Sequence, residues 1–275
     1  MVLQKKGRTT WCRMALSLLV VLTYGFGSRV AAGSSPEWPL IELRQYTLHP
    51  GSRDVLVKLF EAEFVESQEA VGMKIVGTFR DLERPDRFVW IRAFKDMPSR
   101  AEALNSFYSG PVWKAHGRAA NATMIDSSNV LLLHAVSAQS ALATAGTRPP
   151  KGATTESCAL IVVTIYSLES AVDAAFVEVF QQAAVPELEA AGIPVIATYV
   201  TENAPNNYPQ LPIRADRVLV WFARFADVAD YHRRTAALRK SQRWRNLADR
   251  LHGMGTGTPA VLLLQPTTRS LLASR

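Results

Sequence analysis

The chain has 275 residues, 48% hydrophobic and 20% charged, which suits one large globular domain or two modest ones and excludes collagen-like, coiled-coil and highly charged classes. Its net charge of +7 comes from 31 Lys and Arg against 24 Asp and Glu, but Lys5, Lys6, Arg8, Arg13 and Arg29 all precede the first acidic residue. The rest of the chain carries 26 against 24, or +2, so the charge balance points to no nucleic-acid partner.

Residues 1–32 read as a secretory signal segment. A basic stretch up to Arg13 precedes the uncharged run Met14 to Ser28, and the small residues Val30-Ala31-Ala32 follow. As a helix that run rises about 22 Å, short of the roughly 30 Å hydrocarbon core of a bilayer. This places the protein in the periplasm or outside the cell; a true start near residue 38 would make it cytoplasmic. Cys12 lies in this segment, which leaves Cys158 alone and excludes a disulfide framework.

Ile41 to Leu48 alternates as a strand and ends at Pro50-Gly51. Arg53 to Val71 follows as a helix with Leu56, Phe60, Phe64 and Val71 near one face, and Gly72 stops it. Met73 to Phe79 and Arg87 to Phe94 read as strands around the turn Arg84-Pro85-Asp86. Pro98 to Ser109 is helical, broken at Gly110-Pro111 and resumed toward Arg118. Asn129 to His134 closes the set as a fourth strand.

This β-α-β-β-α-β order recurs. An offset of 120 aligns Ile41, Tyr46, Leu48, Phe60 and Gly72 with Ile161, Tyr166, Leu168, Phe180 and Gly192. An offset of 131 then aligns Trp90 with Trp221, Trp113 with Trp244, and Val130-Leu131-Leu132-Leu133 with Val261-Leu262-Leu263-Leu264. The difference of 11 residues falls in the loop around Thr201 to Pro209, where an insertion costs little. The sequence therefore divides into a first domain over 38–135, an Ala-, Ser-, Thr- and Pro-rich linker over 136–157, and a second, divergent domain over 158–268. Two four-stranded sheets with bare faces can close against each other. The expected fold is α+β, two ferredoxin-like repeats forming a pseudo-dimeric α+β barrel.

Strand parity suggests the lining. Glu42, Arg44 and Tyr46 share one face of the first strand, and Phe88, Trp90, Arg92 and Phe94 share one face of the third. The aliphatic set opposite suits packing on helices, which turns the aromatic and basic set toward the second sheet or a ligand cavity.

The tracts Ile41-Glu42-Leu43-Arg44-Gln45-Tyr46-Thr47-Leu48-His49-Pro50-Gly51, Phe107-Tyr108-Ser109-Gly110-Pro111-Val112-Trp113 and Asn129-Val130-Leu131-Leu132-Leu133 resemble a NIPSNAP domain, of the dimeric α+β barrel superfamily. The resemblance covers residues 40 to 135 well and 159 to 266 more loosely. In the second copy Val162, Thr164, Ser170 and Ala171 replace Glu42, Arg44, Pro50 and Gly51, which implies a site lost there. The resemblance implies membrane-associated or vesicle-related roles in eukaryotes and, among superfamily relatives, cofactor-independent monooxygenases, isomerases and haem-binding enzymes.

The candidate site follows from parity and the barrel. Arg44, Arg92, Trp90 and Trp221 are the expected ligand-binding residues, with the arginines holding a carboxylate, phenolate or enolate. Tyr46 and His134 are the candidate catalytic residues, Tyr46 orienting a carbonyl or hydroxyl and His134 abstracting a proton. The plainer alternative pairs Arg44 with Glu42 as structure and leaves His134 at an edge. There is no phosphate loop, dinucleotide turn, HExxH or GxSxG motif, and the five histidines lack metal-ligand spacing, so no cofactor and no metal are expected. The expected function is binding of a small hydrophobic or anionic ligand in the barrel. The alternatives are a cofactor-independent monooxygenase or isomerase acting on an aromatic or quinone-like substrate, and a structural or membrane-surface interaction protein. The basic run Arg233 to Arg250 suits weak contact with an anionic membrane, and a homo-oligomer is a further expected partner state.

Overall fold

The computed structural model describes residues 37–144, 146–169 and 174–273, so the signal-segment reading of residues 1–32 lies outside the described residues. The first repeat runs β1 (Leu40–Leu48), α1 (Arg53–Leu59), a π-helical turn (Phe60–Phe64), α2 (Val65–Glu69), β2 (Lys74–Asp81), β3 (Arg87–Phe94), α3 (Met97–Ser109), α4 (Pro111–Asn121), the short β4 (Met124–Asp126) and β5 (Val130–Ala135). The second runs β6 (Leu160–Ser167), α5 (Ala174–Val179), a second π-helical turn (Phe180–Ala184), α6 (Val185–Ala190), β7 (Val195–Thr201), β8 (Val218–Phe225), α7 (Val228–Lys240), α8 (Gln242–Met254) and β9 (Ala260–Pro266). Asp96 starts α3 by accepting from the Ser99 amide, Asp227 does the same for α7 from the Asp230 amide, and Pro111 at the first turn of α4 makes the predicted break.

Eight strands close into an antiparallel barrel in the order β1, β3, β2, β9, β6, β8, β7, β5 and back to β1, with β4 paired to the end of β1 outside the ring. The seams between repeats are β2 with β9 and β5 with β7. The repeat holds to the residue: Arg44 faces Trp90 across β1 and β3 as Thr164 faces Trp221 across β6 and β8. Both second strands shift register at the same place, between Ile75 and Gly77 and between Val195 and Ala197. Gly72 and Gly192 leave their helices at φ +94° and +74°, a left-handed exit that a Cβ would strain.

The expected assignment of strand faces is reversed. Ile41, Leu43, Val89, Ile91, Leu131 and Leu133 fill the barrel together with Ile161, Val163, Val220, Phe222, Leu262 and Leu264. An eight-stranded barrel has just enough room for such side chains to meet at its axis, so the space expected to hold a ligand between the sheets is a packed core. The aromatic and basic set points outward beneath the helices, where a thicker layer accommodates rings and guanidiniums. The stretch read as a linker joins this architecture. Leu142 enters the interior core, its N–H donating to the Tyr199 hydroxyl at 2.8 Å, and Arg148 Nη2 lies 2.7 Å from Glu69 Oε1.

Candidate functional site

Beneath the helices of the first repeat, on the outer face of β1 and β3, lies a cavity of about 340 Å³. Its apolar walls come from the helix pair and the π-helical turn: Leu56, Phe60 and Phe64 on one side, Phe107, Tyr108 and Trp113 on the other. A π-helical turn widens one loop of the helix and is frequent at functional sites; here it carries Phe60 and Phe64. Trp113 folds back over Gly117, where a Cβ would come within 2.7 Å of the indole, so the glycine leaves room for that wall. The floor is polar: Arg44 and Tyr46 of β1, Trp90 of β3 and Gln68 of α2.

Behind the floor, three guanidiniums converge on one carboxylate. Arg44 Nη1 lies 2.5 Å and Arg92 Nε 2.7 Å from Glu42 Oε2, and Arg100 Nε lies 2.7 Å from Glu42 Oε1. All four side chains are buried to 1% exposure or less. Burial alone pushes the Glu42 carboxyl up, but the charges of Arg92, Arg44 and Arg100 outweigh it and hold the group ionised, well below the usual carboxylate range. Three cations and one anion leave the cluster at +2, and its other partners are neutral. Arg44 Nε donates to the Tyr46 hydroxyl at 2.8 Å, Arg92 Nη1 to Gln68 Oε1 at 3.3 Å, and Arg100 Nη1 to Asn207 Oδ1 at 2.7 Å. The guanidinium carbons of Arg44 and Arg92 stand 5.5 and 5.2 Å from the Trp90 ring centroid. Desolvating surplus charge is costly, and a fixed positive field beside a cavity is what that cost sets up. Burial also pushes the Tyr46 hydroxyl up, so it stays a neutral donor toward anything bound.

The cavity's remaining wall belongs to the other repeat. The loop between β7 and β8, where the 11-residue insertion falls, crosses onto the first repeat and brings Tyr208, Gln210 and Leu211 to the cavity. Asn206 and Asn207 accept from Arg100 at 3.1 and 2.7 Å, Asn207 Nδ2 donates to the Met97 carbonyl at 2.6 Å, and Arg214 N–H donates to the Val130 carbonyl at 2.8 Å. The insertion read from the sequence as inexpensive is a structural part of the site.

Of the residues proposed from sequence, Arg44, Tyr46 and Trp90 line one cavity together. Arg92 stands behind it on Glu42, and the pairing of Arg44 with Glu42 is present as well. His134 is not brought there. It sits half-exposed at the seam of β5 and β7, opposite Val200, with Nδ1 3.4 Å from Glu202 Oε2. Trp221 lines a different cavity, in the second repeat. Sequence reasoning missed Arg100, Gln68, Tyr108 and Tyr208. Arg100 and Gln68 were visible in principle, because each occupies a position in an apolar helix stripe, Arg100 with Ala103, Leu104 and Phe107, and Gln68 with Phe60 and Phe64. Tyr208 had no such signal.

Among the described residues no group of three or more His, Cys, Asp or Glu is placed to hold a metal, and no helix is long and apolar enough to cross a membrane. In the basic run of α7 and α8, Asp230 is buried and pairs with Arg233 and with Arg234 Nε at 2.7 Å.

Residues 41–138, over the first repeat, match the NIPSNAP family model. No curated protein matches the chain. A candidate monooxygenase of Fusobacterium nucleatum is similar over 86% of this chain and 96% of its own, at 12% identity and a TM-score of 0.55. A candidate monooxygenase of Lactobacillus acidophilus is similar over 87% and 100%, at 13% identity and a TM-score of 0.50. An anthrone oxidase-like protein is similar over 83% and 91%, at 10% identity and a TM-score of 0.50. At these identities the likeness is one of fold.

Proposed function

We propose that the first repeat is a binding site for a small, flat, hydrophobic anion such as an aromatic carboxylate or phenolate. One observation carries this reading: Arg44, part of a buried cluster of charge +2, lines a cavity rich in aromatic side chains in which no Asp, Glu or His side chain takes part. The anionic group sits against Arg44 and the Tyr46 hydroxyl, and the ring lies among Phe60, Phe107, Trp113 and Tyr208. With no base on the lining, the ligand arrives already ionised, and the cluster's surplus charge favours that form. Calorimetric titration of the full chain with 1-naphthoate and with naphthalene tests it: the carboxylate binds saturably and the hydrocarbon at least about tenfold more weakly. Equal affinities would overturn it.

A second reading, oxygen chemistry on the bound anion, is supported by the same arrangement, because an electron-rich ring anion is the species that reacts with oxygen without a cofactor. The solved structures of similar fold that are named for monooxygenase or anthrone oxidase activity make anthrone the first compound to try. Oxygen uptake over the buffer rate supports the reaction. Its absence leaves the binding site as the function.

A further inference from the structure

The second repeat keeps the frame of this site and discards its charge. Tyr166, Phe180, Trp221 and Trp244 stand where Tyr46, Phe60, Trp90 and Trp113 stand in the first repeat. Val162, Thr164, Leu188, Ala223 and Tyr231 replace Glu42, Arg44, Gln68, Arg92 and Arg100, so every charged member of the cluster is gone. The space has not closed with the loss. A cavity of about 270 Å³ remains under α7 and α8, lined by Thr164, Tyr166, Trp221, Tyr231 and Trp244 among others. Arg239 reaches the lining from an exposed position.

One buried donor in that lining lacks an acceptor among the described residues. The Trp221 indole N–H is buried without a partner. The Tyr166 hydroxyl has lost the arginine that its counterpart Tyr46 accepts from, and burial pushes its pKa up to about 12, so it keeps its proton. Thr235, by contrast, donates to the Tyr231 carbonyl at 2.7 Å. An anion here would be desolvated with no buried counter-charge, and a pure hydrocarbon would leave the Trp221 N–H unmet.

We propose that the second repeat holds a separate site for a neutral ring-sized hydrophobe bearing a carbonyl-type oxygen, which accepts from Trp221 and Tyr166. The two halves of the barrel thus take ligands of different charge.

The test uses the full chain and 1-tetralone, a neutral bicyclic ketone, with tetralin as the analogue lacking the oxygen. The expected result is one saturable tetralone site that 1-naphthoate does not displace, with nuclear Overhauser contacts from the ketone's ring protons to the Trp221 indole. Trp221→Phe together with Tyr166→Phe weakens tetralone by about fivefold or more and leaves tetralin unchanged. Absence of saturable binding, contacts to Trp90 in place of Trp221, or equal losses for ketone and hydrocarbon would overturn the proposal. The contacts are measured on the unsubstituted chain, so they decide the matter even if the double variant fails to fold. Failure with tetralone leaves the naphthoate result of the first repeat standing, and the converse also holds.

Discussion

The Tyr208 ring, from the second repeat, lies over the Tyr108 ring of the first, with centroids 5.9 Å apart and planes 25° from parallel. Each ring lines the first repeat's cavity, so the divergent half of the chain supplies a wall to the half that kept the charges. The insertion, carried by the second repeat alone, reaches over the first repeat's cavity.

Tyr208→Ala removes the stacked pair and opens the wall. The Tyr208 ring lost against a bound aromatic ring is worth about 0.5–1.5 kcal/mol beyond its buried area, so 1-naphthoate binding weakens by roughly two- to twelvefold. Calorimetry measures it, and an unchanged affinity would show that the loop does not contact ligand.

Arg44→Met separates binding from stability. Glu42 keeps Arg92 and Arg100, both within 2.7 Å, so the carboxylate stays paired and the thermal midpoint moves little. The loss of one charge-assisted contact lowers naphthoate affinity by about ten- to a hundredfold. Fluorescence titration beside a melting curve tests both halves of the statement.

Glu42→Gln does the reverse. Three buried guanidiniums lose their only anionic partner, and breaking a buried ion pair from one side costs about 3–5 kcal/mol, seen as a drop in the denaturant midpoint. Replacing the whole cluster by the second repeat's residues, with Glu42→Val, Arg44→Thr, Arg92→Ala and Arg100→Tyr, costs less than Glu42→Val alone, because no buried charge is left unmatched. A larger cost for the fourfold variant would mean that the cluster holds the fold.

Acid stability follows from the same carboxyl. Its pKa is lowered in the folded chain from an ordinary value near 4.5, so the unfolded chain binds a proton that the folded chain refuses. The resulting stabilisation is complete above pH 4.5 and falls below it, by about 1.4 kcal/mol per pH unit at most. Urea unfolding from pH 6 to pH 3 shows this component in the natural chain and its loss in Glu42→Gln.

Much of the fold was legible because a duplicated module repeats its constraints. The offsets of 120 and 131 carry over to paired residues, and Arg44 opposite Trp90 is matched by Thr164 opposite Trp221. Parity placed Arg44, Tyr46, Trp90 and Arg92 on one side of their strands, and the structure keeps them together. What parity could not say is which side was inside. Alternation distinguishes two faces of a strand but not a barrel interior from a helix-covered exterior, since both are buried and both accept hydrophobic side chains. The expectation chose the wrong one, and His134 and Trp221 were drawn toward a common site with it.

The sequence alone determined the repeat, the order of elements and the loss of charge from the second copy, because these are local patterns of period, turn residue and substitution. Only the tertiary structure decided that Arg100 and Arg92 meet Glu42, and that Tyr208 walls a cavity in the other repeat. Those contacts join residues 50 to 100 positions apart through barrel closure, and no local pattern encodes the distance between two elements that meet only when the ring shuts.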